Sequence, residues 1–448
     1  MSSHHPPRTL LASTAVLGVV GLLTSSCSSS SPAAGPHHGS RSQGLGRVVL
    51  ASVQRATTTP HDATVGGALV RHVAEELYGP MTAGDAENAT FSPTSIAVAL
   101  SMLRAGGQGR SAAQLDRFLG SPDAATLARS MNGLTKAMAT RNGTFPTSKD
   151  EHAKVTLRSA NALWGQRGVQ WEEPFLDTMA AQYGAGMRVV DYGDGDTARQ
   201  AINGWVGKET EGKIPQLIPE GALTSDSRLT LTNAMYFKAP WNEAFTDDGQ
   251  QPFTNGAGTT EKAPSMAVTT DLAYDKGSGW QSVTLPYAGS KVAMTIVVSD
   301  AGRLAAVERS WSTGLLDRLL RDQPSSRPVH LTMPKFDLRT KTLMNQVLKS
   351  LGVREPFDPA TRDFEPMSHD PAAEPLSVGN VRHEATVTVD EKGTVAAAAT
   401  SVEMLSSSAR VEAPPLTLTV DHPFLFVIHD IATGAPLFVG RVSDPLQQ

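Results

Sequence analysis

The stretch Leu229-Thr230-Leu231-Thr232-Asn233-Ala234-Met235-Tyr236-Phe237-Lys238 alternates and then turns apolar, the pattern of a strand covered on both faces. Such a strand belongs in the middle of a large sheet, with neighbours on both edges and packed layers above and below. At 448 residues, 40% hydrophobic and 19% charged, the chain can bury a sheet of that kind in one large domain or two ordinary ones. Net charge is only −5, and no basic run or aromatic-spaced Lys/Arg patch points to nucleic acid.

A second stretch stands out because it commits to no single structure. Ala385-Thr386-Val387-Thr388-Val389 reads as a strand, Asp390-Glu391-Lys392 follows, and Gly393-Thr394-Val395-Ala396-Ala397-Ala398-Ala399-Thr400 then suits strand or helix, neither strongly. As a strand, Thr394, Ala396, Ala398, Thr400, Val402 and Met404 would share one face, and Glu403 would fall on the other, in water. Small side chains at its entering end would let it slide between two existing strands without pushing against a packed core. Taken alone, the alanine run also fits a surface linker.

The remaining elements follow from spacing and caps. Leu69, Val73 and Leu77 predict an amphipathic helix from Val65 to near Gly79-Pro80. Ser92 as N-cap and Pro93 at the first helical position predict a buried helix through Leu103, stopped by Gly106-Gly107. Residues 159–164 and 329–336 read as strands, and 175–183, 202–209 and 343–351 as helices. Residues 283–287 and 293–298 form a predicted hairpin, and three short strands are expected at 416–420, 424–429 and 437–442.

Several chemistries are excluded. Gly207 to Lys213 has the spacing of a phosphate loop, but Ile214 stands where a magnesium-binding Ser or Thr is needed and no strand feeds the first glycine. No G-x-S-x-G elbow occurs, and His383-Glu384 lacks the second histidine of a zinc-protease helix. No cofactor is expected. His37 and His38 lie in a polar tract without further ligands, so no metal site is expected either.

At the N-terminus, Arg8 precedes an apolar run over 10–23 and then Thr24-Ser25-Ser26-Cys27, the layout of a secretory signal and too short for a comfortable membrane span. Cys27 is the only cysteine, so there is no intramolecular disulfide. The layout resembles a bacterial lipoprotein signal, which implies lipidation of Cys27, with residues 28–60 as a Ser/Pro/Gly-rich tether. The expected location is extracytoplasmic, either secreted or held on the outer face of a bacterial cell membrane by that lipid anchor alone.

Several motifs in one order carry a wider resemblance: Ser92-Pro93-Thr94-Ser95-Ile96, Thr210 to Ile214, Asn233-Ala234-Met235-Tyr236-Phe237-Lys238 with Trp241, and Met333-Pro334-Lys335-Phe336. The segment 390–400, Asp421-His422-Pro423-Phe424-Leu425-Phe426 and Leu437-Phe438-Val439-Gly440-Arg441-Val442 complete it. Over about Val65 to Pro445 the chain resembles the serpins. The resemblance implies an α+β fold in one domain over 61–448, with a large mixed central β-sheet, two smaller sheets, about eight or nine helices and an exposed reactive loop near 391–415. It further implies a hinge at Glu391, Gly393, Thr394, Ala396, Ala397, Ala398 and Ala399. A serine protease that cuts the loop would be trapped as an acyl-enzyme when the loop inserts as a strand.

By the same resemblance Ser92, Ser95, Asn233 and His383, with Trp241, form the shutter and breach, a buried gate where the loop enters. Without it these residues could be mistaken for a catalytic set, and His383 alone reads as a satisfied core histidine. Counting on from Gly393 gives Ser407-Ser408 as the scissile bond, with Arg410-Val411 as the alternative. The serines would suit an elastase- or subtilisin-like protease, and Arg410 a trypsin-like one. Val395 departs from the glutamate usual in inhibitory members but faces outward on insertion. The expected assembly is a monomer, and the other reading is a non-inhibitory binding protein of the same fold.

Overall fold

The computed structural model describes residues 47–83, 87–147, 151–321, 324–369, 375–394 and 414–447. Strand β1 (Arg47–Val49) precedes helix α1 (Pro60–Met81). The Thr59 side chain accepts from the Asp62 amide, and the Thr59 amide donates back to the Asp62 carboxylate at 2.7 Å. This reciprocal cap satisfies donors that a helix start leaves open, and α1 therefore begins earlier than its apolar spacing suggests. Within α1, a Cβ on Gly66 would lie 2.5 Å from the Ser130 carbonyl oxygen, so glycine there lets α1 lie close against the helix that carries Ser130.

Strand β2 (Ala89–Phe91) leads into α2 (Pro93–Ala105), α3 (Gly109–Leu119) and α4 (Ala124–Ala139). Next come β3 (Gly143–Pro146), β4 (His152–Ser159), β5 (Ala162–Gln166), α5 (Glu173–Thr178), β6 (Met187–Val190) and α6 (Gly195–Glu209). The strand expected over 159–164 is thus two strands, broken at Ala160-Asn161. Strand β7 (Leu229–Pro240) is followed by β8 (Thr246–Thr254), β9 (Thr260–Gly277), and the expected hairpin of β10 (Trp280–Pro286) and β11 (Val292–Ser299). Then α7 (Leu304–Ser310), α8 (Leu316–Arg321), β12 (Ser326–Pro334) and β13 (Phe336–Leu343) follow. Last are α9 (Met344–Ser350), β14 (Val378–Asp390), β15 (Gly393–Thr394), β16 (Leu416–Thr419), β17 (Phe424–Asp430) and β18 (Ala435–Val442). The strand expected over 329–336 ends at Pro334, and Phe336 starts the next one.

The large mixed sheet runs β1-β6-β5-β7-β15-β14-β13, with β4 also paired to β7. The second assembly runs β16-β12-β9-β10-β11-β17-β18-β2, with β8 on β9. Its strands are joined through β9, whose 18 residues pair with β8 over 260–267, with β12 over 265–273 and with β10 over 273–277. Helix α2 packs on the inner face of the large sheet, and α6 covers the outer face with Ile202, Trp205 and Val206 against Trp164, Tyr192 and Ala234.

Residues 47–59, expected within the tether, are part of the body. β1 pairs antiparallel with β6, the Ala56 amide donates to the Ala181 carbonyl at 2.7 Å, and Arg55 donates to Asn132 at 2.9 Å. Backbone pairing at a sheet edge needs no apolar side chains, so this polar composition did not reveal it.

Candidate functional site: the seam between β7 and β14

The sequence makes β7 a strand buried along nearly its whole length and β14 an alternating one, and the fold sets them side by side in parallel. Their register runs from Leu229↔Val378 to Met235↔Ala385. Beyond that point the two strands part, and β15 lies between them. Gly393 and Thr394 pair with Pro240 and Ala239 on one side and with Asp390 and Val389 on the other, antiparallel to both. The seam is therefore zipped at one end and forked at the other, and the fork is held by Gly393 and Thr394, near the start of the expected loop.

At the fork each predicted hinge residue within the described structure has a partner. Gly393 has φ +146°, and a Cβ there would lie 2.2 Å from the Ala239 carbonyl oxygen, so only glycine lets the chain enter. Its amide and that of Lys392 donate to the Asp390 carboxylate at 3.2 and 2.8 Å. Glu391 pairs with Lys335, which also holds Asp247 at 2.9 Å. Trp241, placed in the breach by resemblance, donates through its indole to the Asp390 carbonyl at 2.9 Å, and its backbone amide donates to Lys392 at 2.9 Å. Its ring stacks on Tyr287 with centroids 4.4 Å apart and an interplanar angle of 11°. The Lys335–Glu391 pair joins residues 56 apart in the chain, and sequence spacing gave no signal for it. Ala396 to Ala399 and the candidate bonds Ser407-Ser408 and Arg410-Val411 lie outside the described residues, as does Cys27.

Within the zipped part, the fold brings three of the four predicted shutter residues into direct contact. Ser92 caps α2, accepting from the Ser95 amide at 3.3 Å, which sets the helix start beneath the middle of the sheet. His383 faces it from β14. The imidazole Nε2 accepts from the Ser92 amide at 3.1 Å, and Nδ1 lies 2.5 Å from the Asn233 side-chain oxygen on β7, so the arrangement requires the neutral Nδ1-protonated ring. Ser92 Oγ turns to Met235 Sδ at 3.3 Å. Ser95 does not join the histidine; its hydroxyl donates to Asn161 at 2.7 Å, at the break between β4 and β5. Asn161 is the member of this network that the sequence reading missed, and its signal was a polar residue between two alanines inside an apparent strand.

This cluster ties α2, β7 and β14 together and is unsuited to nucleophilic catalysis. Among the described residues no serine hydroxyl bonds the imidazole, because Ser92 offers it a backbone amide. Asn233 Nδ2 is buried with no hydrogen-bond partner among the described residues. On the opposite face of β14, Glu384 is fully buried and held by Arg339 at 2.6 Å. No group of three or more His, Cys, Asp or Glu side chains placed to hold a metal occurs among the described residues.

Burial holds the His383 imidazole far below its ordinary value, at about 3, and that of His429 at about 4, so both are neutral in the folded chain. An unfolded chain binds a proton at each below about 6.5. Stability from these two sites is thus fully present above pH 6.5 and is lost as pH falls toward 4 and 3. We expect each to cost roughly 1.4 kcal/mol per pH unit below about pH 6. Urea midpoints at pH 7 and pH 5 check this, and equal midpoints would contradict it.

A parallel strand pair forked by the start of its own downstream segment, with a buried histidine tying the pair to the helix beneath, defines the class of fold to which this chain belongs. The chain belongs to the serpin family: the model for Serpin (serine protease inhibitor) matches residues 68–445. A serpin-like protein of Thermococcus kodakarensis is 32% identical, covering 83% of each chain. The leukocyte elastase inhibitor A of Rattus norvegicus is 31% identical over 80% of this chain and 93% of its own. Among solved structures, the thermophilic serpin tengpin in its native state aligns with a TM-score of 0.74 at 22% identity, covering 89% of this chain and 100% of that one.

Proposed function

We propose that the chain inhibits serine proteases as a suicide substrate. A target protease attacks the loop, and the loop inserts between β7 and β14 before water can release the acyl-enzyme. The single observation that carries this reading is the fork, where Gly393 and Thr394 already occupy the first two positions of the new strand. Continuing their antiparallel register sets residue 400 opposite both Asn233 and His383. Thr400 would bring a hydroxyl to the place where Asn233 Nδ2 has no partner among the described residues.

Ten or more new backbone hydrogen bonds at about 0.5–1.5 kcal/mol each are on the order of a domain's whole stability, enough to deform an attached protease. The bait bond in this reading is Ser407-Ser408, with Arg410-Val411 as the alternative. The name of the rat relative favours an elastase-like target. The layout of Arg8, the apolar run and Cys27 supports export with a lipid anchor, and the protein acts as a monomer outside the cell.

Incubation with elastase, subtilisin and trypsin, followed by a denaturing gel and mass spectrometry, tests the proposal. We expect one denaturant-resistant complex and a released C-terminal peptide whose mass fixes the bond. Clean cleavage by all three with full protease activity remaining would leave a non-inhibitory binding protein of this fold.

A further inference from the structure

Four asparagines stand directly before a glycine: Asn132, Asn142, Asn203 and Asn255. In such a pair the backbone nitrogen of the glycine can attack the asparagine side-chain carbonyl, because there is no Cβ to obstruct the approach. By sequence the four are equivalent, and the fold separates them.

Asn132-Gly133 lies within α4 and Asn203-Gly204 within α6, where the helical ladder fixes the peptide that would have to turn toward the side chain. Both side chains are buried and engaged. Asn132 donates to the Ala56 carbonyl at 3.1 Å and accepts from Arg55, and Asn203 exchanges two bonds with the Ile218 backbone at 2.9 and 2.8 Å. Asn255 sits in the turn between β8 and β9, where its oxygen accepts from the Ala257 and Thr259 amides and the Gly256 amide donates to the Ser443 carbonyl at 2.9 Å. The attacking nitrogen is tied down in all three.

Asn142-Gly143 is exposed, between the end of α4 and β3. Asn142 Nδ2, the group that would leave, makes a long contact of 3.4 Å to the Ala139 carbonyl. Its Oδ1 accepts from the Leu157 amide at 2.7 Å. A donor in that place polarises the side-chain carbonyl and holds the negative charge that forms on its oxygen during attack. Gly143 has φ +150° and opens β3, a four-residue strand paired with β4 alone among the described strands, so its end pair frays readily.

We propose that Asn142 is a modification site, where the folded chain converts its own asparagine to isoaspartate with water as the co-reactant. The Gly143 nitrogen gives its proton to solvent and bonds to Asn142 Cγ. The Cγ–Nδ2 bond breaks, and Nδ2 leaves as ammonia with a proton taken from solvent. Water then opens the succinimide ring at either carbonyl, leaving aspartate or isoaspartate, and nothing is oxidised or reduced.

The isoaspartyl product carries an extra methylene in its main chain and draws the acceptor away from the Leu157 amide. It also adds a negative charge next to Arg141, whose guanidinium is committed to the buried Asp430. β4 would lose the side-chain bond that ties Leu157 to the end of α4, and the chain would carry a mark of its age there. None of this depends on protease inhibition.

Ageing the full chain in mildly alkaline buffer, followed by peptide mass spectrometry and chromatographic separation of the isoaspartyl form, tests the site. In the folded chain Asn142 should lose its amide about ten-fold or more faster than Asn255, Asn132 or Asn203. In urea the four should react at similar rates. Asn142→Gln, which closes the corresponding ring far less readily, should silence the site. Hydrogen exchange at the Leu157 amide should run about five-fold faster in the isoaspartyl form and stay at the wild-type rate in Asn142→Asp, which keeps an acceptor in place. Loss at Asn255 that matches loss at Asn142 overturns the proposal, as does an Asn142 amide that survives in the folded chain but is lost in urea. Unchanged Leu157 exchange in the isoaspartyl form overturns the effect on β4.

Discussion

If the chain inhibits as proposed, Thr394→Arg is expected to turn it from an inhibitor into a substrate. Thr394 sits 1% exposed between β7 and β14 with its hydroxyl on Tyr287, so an arginine there would have to bury its guanidinium, and the Asp390 carboxylate in the same fork is already taken by the Lys392 and Gly393 amides. An unpaired charge cannot be buried at that depth without several kcal/mol of penalty. The hinge will stay outside, and insertion will start too late to outrun hydrolysis of the acyl-enzyme. The denaturant-resistant complex should fall by at least an order of magnitude while the loop is still cut. The cut product should also lack the large rise in melting temperature that a new strand confers on the wild type. Undiminished complex formation by this variant would place the start of insertion elsewhere.

His383→Ala is the second large effect. It leaves the Ser92 amide and the Asn233 side-chain oxygen without the ring that joins them, at about 1–3 kcal/mol for each buried group left unpaired. The loss falls where β7 and β14 are zipped, so it favours separation of the strands as well as unfolding. Warmed without protease, the variant should convert to a form with its uncut loop inserted, more heat-resistant than the starting protein and no longer able to trap a protease. A variant that melts earlier but never yields the heat-resistant form would make His383 an ordinary core residue. The distinction matters, because both roles predict a lower first transition.

The sequence made the central parts of this fold legible wherever periodicity and caps agreed. Strand β7 was visible because it is buried along nearly its whole length, and α2 because Ser92, Pro93 and Gly106 mark its ends. Of the expected hinge, Glu391, Gly393 and Thr394 lie among the described residues, and the burial of Thr394 fits the inner face of the alternation read from sequence.

Strands β8 and β9 were not anticipated. Residues 246–254 are mostly exposed, so their pairing is held by backbone bonds that leave no apolar pattern. β1 escaped notice for the same reason. The partition of the gate was also hidden, since the pairing of Ser95 with Asn161 depends on a strand break that a single continuous pattern concealed. Tyr287 read only as the end of a hairpin strand, because nothing local marks the reach of a hydroxyl to a residue 107 positions away.

The zipped part of the seam is a parallel ladder of seven register pairs. Parallel pairing is slightly weaker per residue than antiparallel, and every ladder a new strand would make with β7 and β14 is antiparallel. If the loop inserts as proposed, the folded chain is held by a barrier and not by its position on an energy scale, and its useful life is a rate. That makes the seam a timer with two opposed demands. An inserting inhibitor must keep such a seam closed in storage and open it faster than a single bond is hydrolysed. A substitution that knits β7 to β14 more tightly would lengthen the first interval and spoil the second, so the most heat-stable variants of this seam should be the slowest to capture.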